Sequence, residues 1–270
     1  PCHASLARGG QRVTERVMNN EIEIEGAIPA ATLVIMRPGV EAAELLLVKR
    51  AKNMAFAAGA VVFPGGRIDP DDHDVAALHG MATLEGAARV AALRETIEET
   101  GLPVGWPTLE PDSLAAVRAD LLAERPLSSI LAERGDRLEL DALVPFARWC
   151  PNFKEARTFD TWFFAVAAPD HGHELSVSEA EHSHIFWGTA QGALDAADAG
   201  EISIIFPTRR NLERIAGHAS VDSFARHARQ YPVRRITPWI EERDGGTKLC
   251  IPADLGYPVT SESWENVRRG

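Results

Sequence analysis

The chain has 270 residues, about 1.8 times the roughly 150 residues of an average domain. With 45% hydrophobic and 25% charged residues, a disordered or fibrous protein is excluded. Lys plus Arg number 28 against 39 Asp plus Glu, a formal charge of −11, which argues against wrapping duplex nucleic acid or docking on an anionic membrane. A phosphorylated substrate stays open, because a few local cations or a divalent metal can reverse the field inside one cleft.

Taken in chain order, residues 1–20 are polar and aperiodic and read as a flexible lead. Ala30–Arg37 and Glu44–Val48 read as strands, with Pro38–Gly39 as the turn between them. A short buried strand then closes on the Pro64-Gly65-Gly66 turn, where glycine lets the backbone approach a ligand or metal. Asp69–Asp74 reads as a turn or solvated loop. Glu85–Thr100 has a helical pattern ended by Gly101 and Pro103, and a second helical block covers 111–134. Residues 158–168 form an aromatic strand; His184–Trp187 and Ile202–Phe206 are shorter strands around a helix-like 192–199. Helices follow at 208–217 and 221–229, and the Gly- and Glu-rich stretch 241–270 reads as mostly irregular. A mixed sheet flanked by helices, of α/β class, fits this order.

Cys2, Cys150 and Cys250 are too scattered for a disulfide scaffold and contain no CxxC pair. No apolar run reaches the roughly 20 residues that span a bilayer. The opening residues lack the apolar core of a secretory signal. The expectation is a cytoplasmic enzyme, with a homodimer left open.

The most informative segment is Arg94-Glu95-Thr96-Ile97-Glu98-Glu99-Thr100-Gly101-Leu102. At 100° per residue, Val90, Leu93 and Ile97 form a stripe about 60° wide, while Glu95, Glu98 and Glu99 fall on nearly the opposite face. Carboxylates at this spacing repel one another unless a cation holds them together, and a hard oxygen-seeking ion such as Mg²⁺ or Mn²⁺ is the natural partner. Arg94 stands four residues before Glu98 and could orient it. The competing explanation is an ordinary solvated helix face.

The glycine turn, the acidic loop and this helix together resemble the signature of the Nudix hydrolase family. That signature runs Gly, five residues, Glu, seven residues, Arg-Glu, an apolar residue, any residue, Glu-Glu, any residue, Gly and an apolar residue. Arg94, Glu95, Glu98, Glu99, Gly101 and Leu102 match its second half, with Thr96 at the apolar position. Counted from Gly66, the signature Arg would fall at position 80, so fourteen residues are inserted before Arg94. Counted back from Arg94, the first Glu would fall at Gly86, with Glu85 beside it. The resemblance implies a Nudix-type α/β/α sandwich over 21–240, enlarged by helical insertions near 69–86 and 107–145.

An insertion within the signature resembles the branch that includes the peroxisomal coenzyme A diphosphatases. Leu46, Leu47, Val48, Arg50, Ala51, Ala55, Gly59, Phe63, Pro64, Gly65 and Gly66 keep the spacing of a coenzyme A-associated pattern, with Val48 for Thr and Ala55 for a second Arg. Arg148-Trp149-Cys150-Pro151, the stretch from Arg157 to Phe164, and Pro207–Ala216 resemble further segments of that branch.

The resemblance implies Glu95, Glu98 and Glu99 as metal ligands for Mg²⁺ or Mn²⁺, with the Gly65 carbonyl as a further contact. Glu95 is either ligand or general base. Glu181 is a candidate for an extra carboxylate from a later loop, with Glu179 as its rival. Arg50, Arg67, Arg148 and Arg157 are candidates to grip phosphate, since guanidinium matches phosphate oxygens in a fork; an exposed salt bridge explains Arg148 or Arg157 equally well. His171, His173, His182 and His184 invite a zinc reading but lack a Cys or a clearly placed third His. Phe159, Trp162, Phe163, Phe164 and Trp187 could stack a base or simply fill the core. The block at 111–134 could cap the cleft or only pack. The expected activity is metal-dependent cleavage of a diphosphate, in coenzyme A or its acyl form first. Nucleotide sugars, dinucleotides and capped RNA are the alternative substrates, and a non-catalytic binding module is the rival class.

Overall fold

Apolar runs rich in branched residues build the centre of the molecule. The computed structural model describes residues 26–51, 57, 59–151, 158–169, 182–243 and 245–267. Its main sheet has eight strands: β1 (Ala27–Arg37), β2 (Glu44–Arg50), β3 (Val61–Val62), β4 (Gly65–Arg67), β5 (Val144–Trp149), β6 (Thr158–Ala167), β7 (His182–Thr189) and β8 (Arg235–Ile236). The order is β3-β2-β1-β6-β5-β8, with β4 also pairing β1 and β7 also pairing β2. The β1–β6 and β5–β8 pairs are parallel and the rest antiparallel, so the sheet is mixed, as expected.

Both faces of the sheet are covered, which explains the near-continuous apolar runs. Ala31, Leu33 and Ile35 of β1 and Trp162, Phe164 and Val166 of β6 point to one side. There they pack on α1 (Pro70–Leu78), α2 (Leu84–Thr100), α3 (Pro111–Leu122) and α4 (Leu127–Arg134). Val34, Met36, Phe163 and Ala165 point to the other side, toward α5 (Ala190–Asp198), α6 (Phe206–Ala216) and α7 (Val221–Ala228). Phe164 is fully buried, and truncating such a ring to Ala costs about 3–5 kcal/mol.

Several elements differ from the sequence expectation. Asp69–Asp74 is not a solvated loop: Pro70 occupies the first turn of α1, and the Asp69 N–H donates to the Asp72 carboxylate at 2.8 Å. The block at 111–134 divides: α3 ends at Leu122, Glu124 turns the chain with φ +59°, and Pro126 stands just before α4. Strand β5 lies in a stretch where no strand was expected. Ile202–Phe206 is not a strand; Phe206 starts α6, with Pro207 inside its first turn. The stretch after Trp239 is not mostly irregular either. It forms a second, antiparallel sheet of β9 (Trp239–Arg243), β10 (Gly246–Cys250) and β11 (Ser261–Ser263), followed by the short α8 (Trp264–Val267). Gly245, with φ +78°, stands between β9 and β10, while Leu249, Cys250, Ile251 and Tyr257 are buried. Among the described residues no helix is long and apolar enough to cross a membrane.

Candidate active site

Helix α2 carries the site. Thr83 caps its start by accepting from the Gly86 N–H at 3.0 Å, and Gly101 ends it in the left-handed conformation. Val90, Leu93 and Ile97 are buried as the apolar stripe requires. Thr96, at a position that is apolar in the signature, is also buried; its hydroxyl donates to the Ala92 carbonyl at 2.7 Å, which removes the penalty of an unpaired polar group.

The carboxylate face is not a solvated one. Strand β4 runs over it so closely that a Cβ on Gly66 would lie 2.2 Å from the Glu95 carboxylate and displace it, while Gly65, with φ +152° and the Ala31 carbonyl 2.3 Å from where a Cβ would stand, admits only glycine. Glu99 is 3% exposed, and its Oε2 accepts from the Gly65 N–H at 2.9 Å. Glu95 and Glu98 both accept from Arg94 Nη1, at 2.9 and 3.2 Å.

Arg94 is therefore the hub. Its Nε and Nη2 donate to Asp72 Oδ1 and Oδ2 at 3.1 and 3.0 Å, and Nη2 also reaches the Arg67 carbonyl at 2.9 Å. Asp69 lies 3.3 Å from the same nitrogen. Burial works against the guanidinium charge, but Asp72, Glu95 and Glu98 outweigh it and raise the Arg94 pKa above its ordinary value. Burial pushes the Asp72 and Glu98 carboxyls upward, with Arg94 opposing in both cases. Four carboxylates thus share one guanidinium, with Glu99 beside them.

Asp72 is the residue that the sequence expectation missed. Glu85, the earlier candidate for the signature's first acid, instead pairs with Arg89 at 2.7 Å. It sits ten residues before Glu95, about 15 Å along a helix. Gly86 cannot be replaced by an acid, because a Cβ there would meet the Met81 carbonyl at 2.0 Å. Counting forward from Gly66 past five residues reaches Asp72. That spacing is a signal for Asp72, although its acidic surroundings have the composition of a solvated turn.

The guanidinium candidates separate. Arg67 is exposed at the rim, next to Arg94. Arg50 ends β2, and its Nε is buried without a hydrogen-bond partner among the described residues. Arg148 is not available to grip a phosphate: it is 2% exposed and turned inward, its Nε and Nη2 each 2.8 Å from the Asp160 carboxylate, which Arg235 also contacts. Arg157 and Glu181 lie outside the described residues, as do Glu179, His171, His173 and Ala55. His184 is exposed and stacks on Phe186 at 5.8 Å. Trp162, Phe163 and Phe164 are core residues. Clefts of about 540 and 320 Å³ flank residues 137–145, the first lined by His79 and Arg137 and the second by Arg89 and Tyr231. Neither is lined by the carboxylates of α2.

The donor chemistry suits a hard divalent cation: crowded carboxylate oxygens beside a backbone turn that only glycine can make. Among the described residues, no three carboxylate, imidazole or thiol groups are already gathered as a ligand set. Arg94 Nη1 bridges Glu95 and Glu98, so both carboxylates are oriented by one guanidinium.

No protein-family model matches the chain. It is 26% identical over 177 residues to a Caenorhabditis elegans protein provisionally named nudix hydrolase 7, covering 64% of this chain and 55% of that one. The chain thus spans about half the length of this curated relative. It is also similar to the crystal structure of a NUDIX hydrolase from Alicyclobacillus acidocaldarius, with 28% identity, a TM-score of 0.65, and coverage of 77% of this chain and 97% of that one. The fold is the Nudix fold, a mixed sheet between helical layers.

Proposed function

We propose that the chain is a divalent-metal-dependent hydrolase that cleaves a phosphoanhydride by water attack on phosphorus. The observation that carries this reading is the packing of Glu95, Glu98 and Glu99 under the Gly65–Gly66 strand, with Asp69, Asp72, Glu95 and Glu98 gathered on Arg94. Glu95, Glu98 and Glu99 would hold Mg²⁺ or Mn²⁺, with the Gly65 carbonyl as a further contact and Glu181 as an additional carboxylate. The bound metal would acidify a water and offset charge on the phosphate oxygens. Arg94, anchored by Asp72, sets the orientation of Glu95 and Glu98. Glu95 serves as ligand or as the base that takes the water's proton.

Arg67 and Arg50 are the proposed phosphate contacts on this chain, with Arg157 as a third. The exposure of Arg67 and the unpartnered buried Nε of Arg50 support the first two. The proposed substrate is coenzyme A or an acyl derivative, giving 4′-phosphopantetheine (or its acyl form) and 3′,5′-ADP; the spacing from Leu46 to Gly66 supports it. The testing experiment incubates the purified chain with Mg²⁺ or Mn²⁺ and a panel of diphosphate compounds, reading both products by mass spectrometry. Formation of the two coenzyme A halves is expected. Preferential cleavage of a nucleotide sugar, a dinucleotide or a capped RNA end would replace the substrate, and no cleavage of any compound would reject the hydrolase.

A further inference from the structure

We infer that Arg118, on α3 and outside the signature, is a positioning residue that fixes the last turn of α2 and so sets the placement of Glu98 and Glu99. Helix C-termini leave their last carbonyls without intrahelical donors, and the local sequence sharpens the problem here. The Gly101 N–H returns to the Ile97 carbonyl at 2.9 Å. The Leu102 N–H, which would serve the Glu98 carbonyl, goes instead to Thr100 Oγ1 at 3.2 Å. Position 103, which would serve the Glu99 carbonyl, is a proline and has no N–H.

Arg118 fills both places from a neighbouring helix. Its Nε donates to the Glu98 carbonyl at 2.9 Å and its Nη2 reaches the Glu99 carbonyl at 3.4 Å. One planar fork therefore holds the backbone of two adjacent proposed ligands from behind, leaving their side chains to the site. Buried Val117 and Leu121 anchor α3 on the core, so the fork is carried by a fixed element. A cation at this end also offsets the negative pole of α2, where the carboxylates crowd. The block at 111–134 thus acts on the site through the α2 backbone. Ligands must be held to within about 0.5 Å to be effective, and a frayed last turn would release both glutamates together.

This inference rests on the proposed metal site, and its test separates the two. Mn²⁺ affinity is measured by electron paramagnetic resonance on the wild type, Arg118→Met, Arg118→Lys and the packing control Val117→Ala, alongside melting temperature and metal-free hydrogen exchange over residues 97–102. Arg118→Met should weaken Mn²⁺ binding about tenfold and speed exchange in the last turn of α2. Arg118→Lys, which keeps the charge without the fork, should fall between. Val117→Ala should lower the melting temperature and leave Mn²⁺ affinity unchanged. Wild-type Mn²⁺ affinity and unchanged exchange in Arg118→Met would overturn the positioning role while sparing the proposed site. Absence of Mn²⁺ binding in the wild type would overturn both. Equal weakening in Arg118→Met and Val117→Ala would reduce Arg118 to general stability and overturn the inference.

Discussion

Two arginine-centred networks lie on opposite sides of the main sheet, and they differ in the sign of what is left over. On the α2 side, Arg94 is surrounded by Asp69, Asp72, Glu95 and Glu98, all within 3.3 Å. On the α6 side, Arg210 pairs with Glu213 and Glu262 at 2.7 and 2.8 Å and ties the second sheet to the helix. Arg214, one turn further, has no carboxylate partner among the described residues. Its Nη1 donates to the Phe146 carbonyl at 2.8 Å, and its guanidinium lies against the rings of Phe146, Phe224, Tyr231 and Tyr257. Asn211 Oδ1 accepts from Tyr257 at 2.9 Å and Trp149 at 3.3 Å. The acid-rich network gathers four carboxylates on one guanidinium, whereas the arginine-rich one sets guanidiniums against carbonyls and rings and leaves Arg210 Nε and Nη1 and Arg214 Nη2 buried without a hydrogen-bond partner among the described residues.

The largest effect that could break this contrast is on turnover. Glu98→Gln and Glu99→Gln should each lower metal-dependent turnover on the order of a thousandfold, several kcal/mol of transition-state stabilisation, with little change in melting temperature. Full activity in either variant would remove the α2 network from the chemistry. Arg210→Met should show the converse, a loss of about 1–3 kcal/mol in denaturant unfolding because the half-buried Glu213 and Glu262 lose their partner, with turnover per folded molecule retained. If it instead lost activity at full stability, the α6 network could no longer be regarded as structural.

Smaller effects sharpen the comparison. Asp72→Asn should weaken metal binding about tenfold by loosening Arg94, while Glu85→Gln should leave it unaltered; calorimetric titration with Mn²⁺ distinguishes them, and equal effects would return Glu85 to the site. The smallest effect is pH dependence on the α6 side. Burial raises the Glu213 carboxyl to about 7, with Arg210 and Arg209 opposing. The folded chain therefore holds this proton more tightly than the unfolded chain. Its contribution to stability is fully present below the ordinary carboxylate range, falls as pH rises toward about 7, and is flat beyond. Denaturation midpoints measured against pH should lose this slope in Glu213→Gln, and an unchanged slope would assign it to another group.

What could be read from the sequence was what depends on near neighbours. The apolar stripe of α2, its opposed glutamates and its Gly101 end follow from a period of 3.6 residues and cap chemistry. The long runs of β1, β2 and β6 also follow, because a strand buried on both faces shows its apolar content directly. Asp72 was legible by its distance from Gly66, but the acidic run around it has the composition of a solvated loop, and only packing against α2 reveals it as buried. The strands after Trp239 were obscured by the glycines of their own turn.

By itself the sequence determined the carboxylate helix, the glycine turn and the mixed α/β class, since each is written in spacings of a few residues. Only the tertiary structure decided which charge meets which. It turned Arg148 inward onto Asp160, brought Asp72 across 22 residues to Arg94, and sent Arg118 to the end of α2. The physical reason is that a helix or strand period fixes the direction of a side chain on its own element. The partner of a buried charge is chosen among all elements that fold against it, by which pairing best repays its lost hydration.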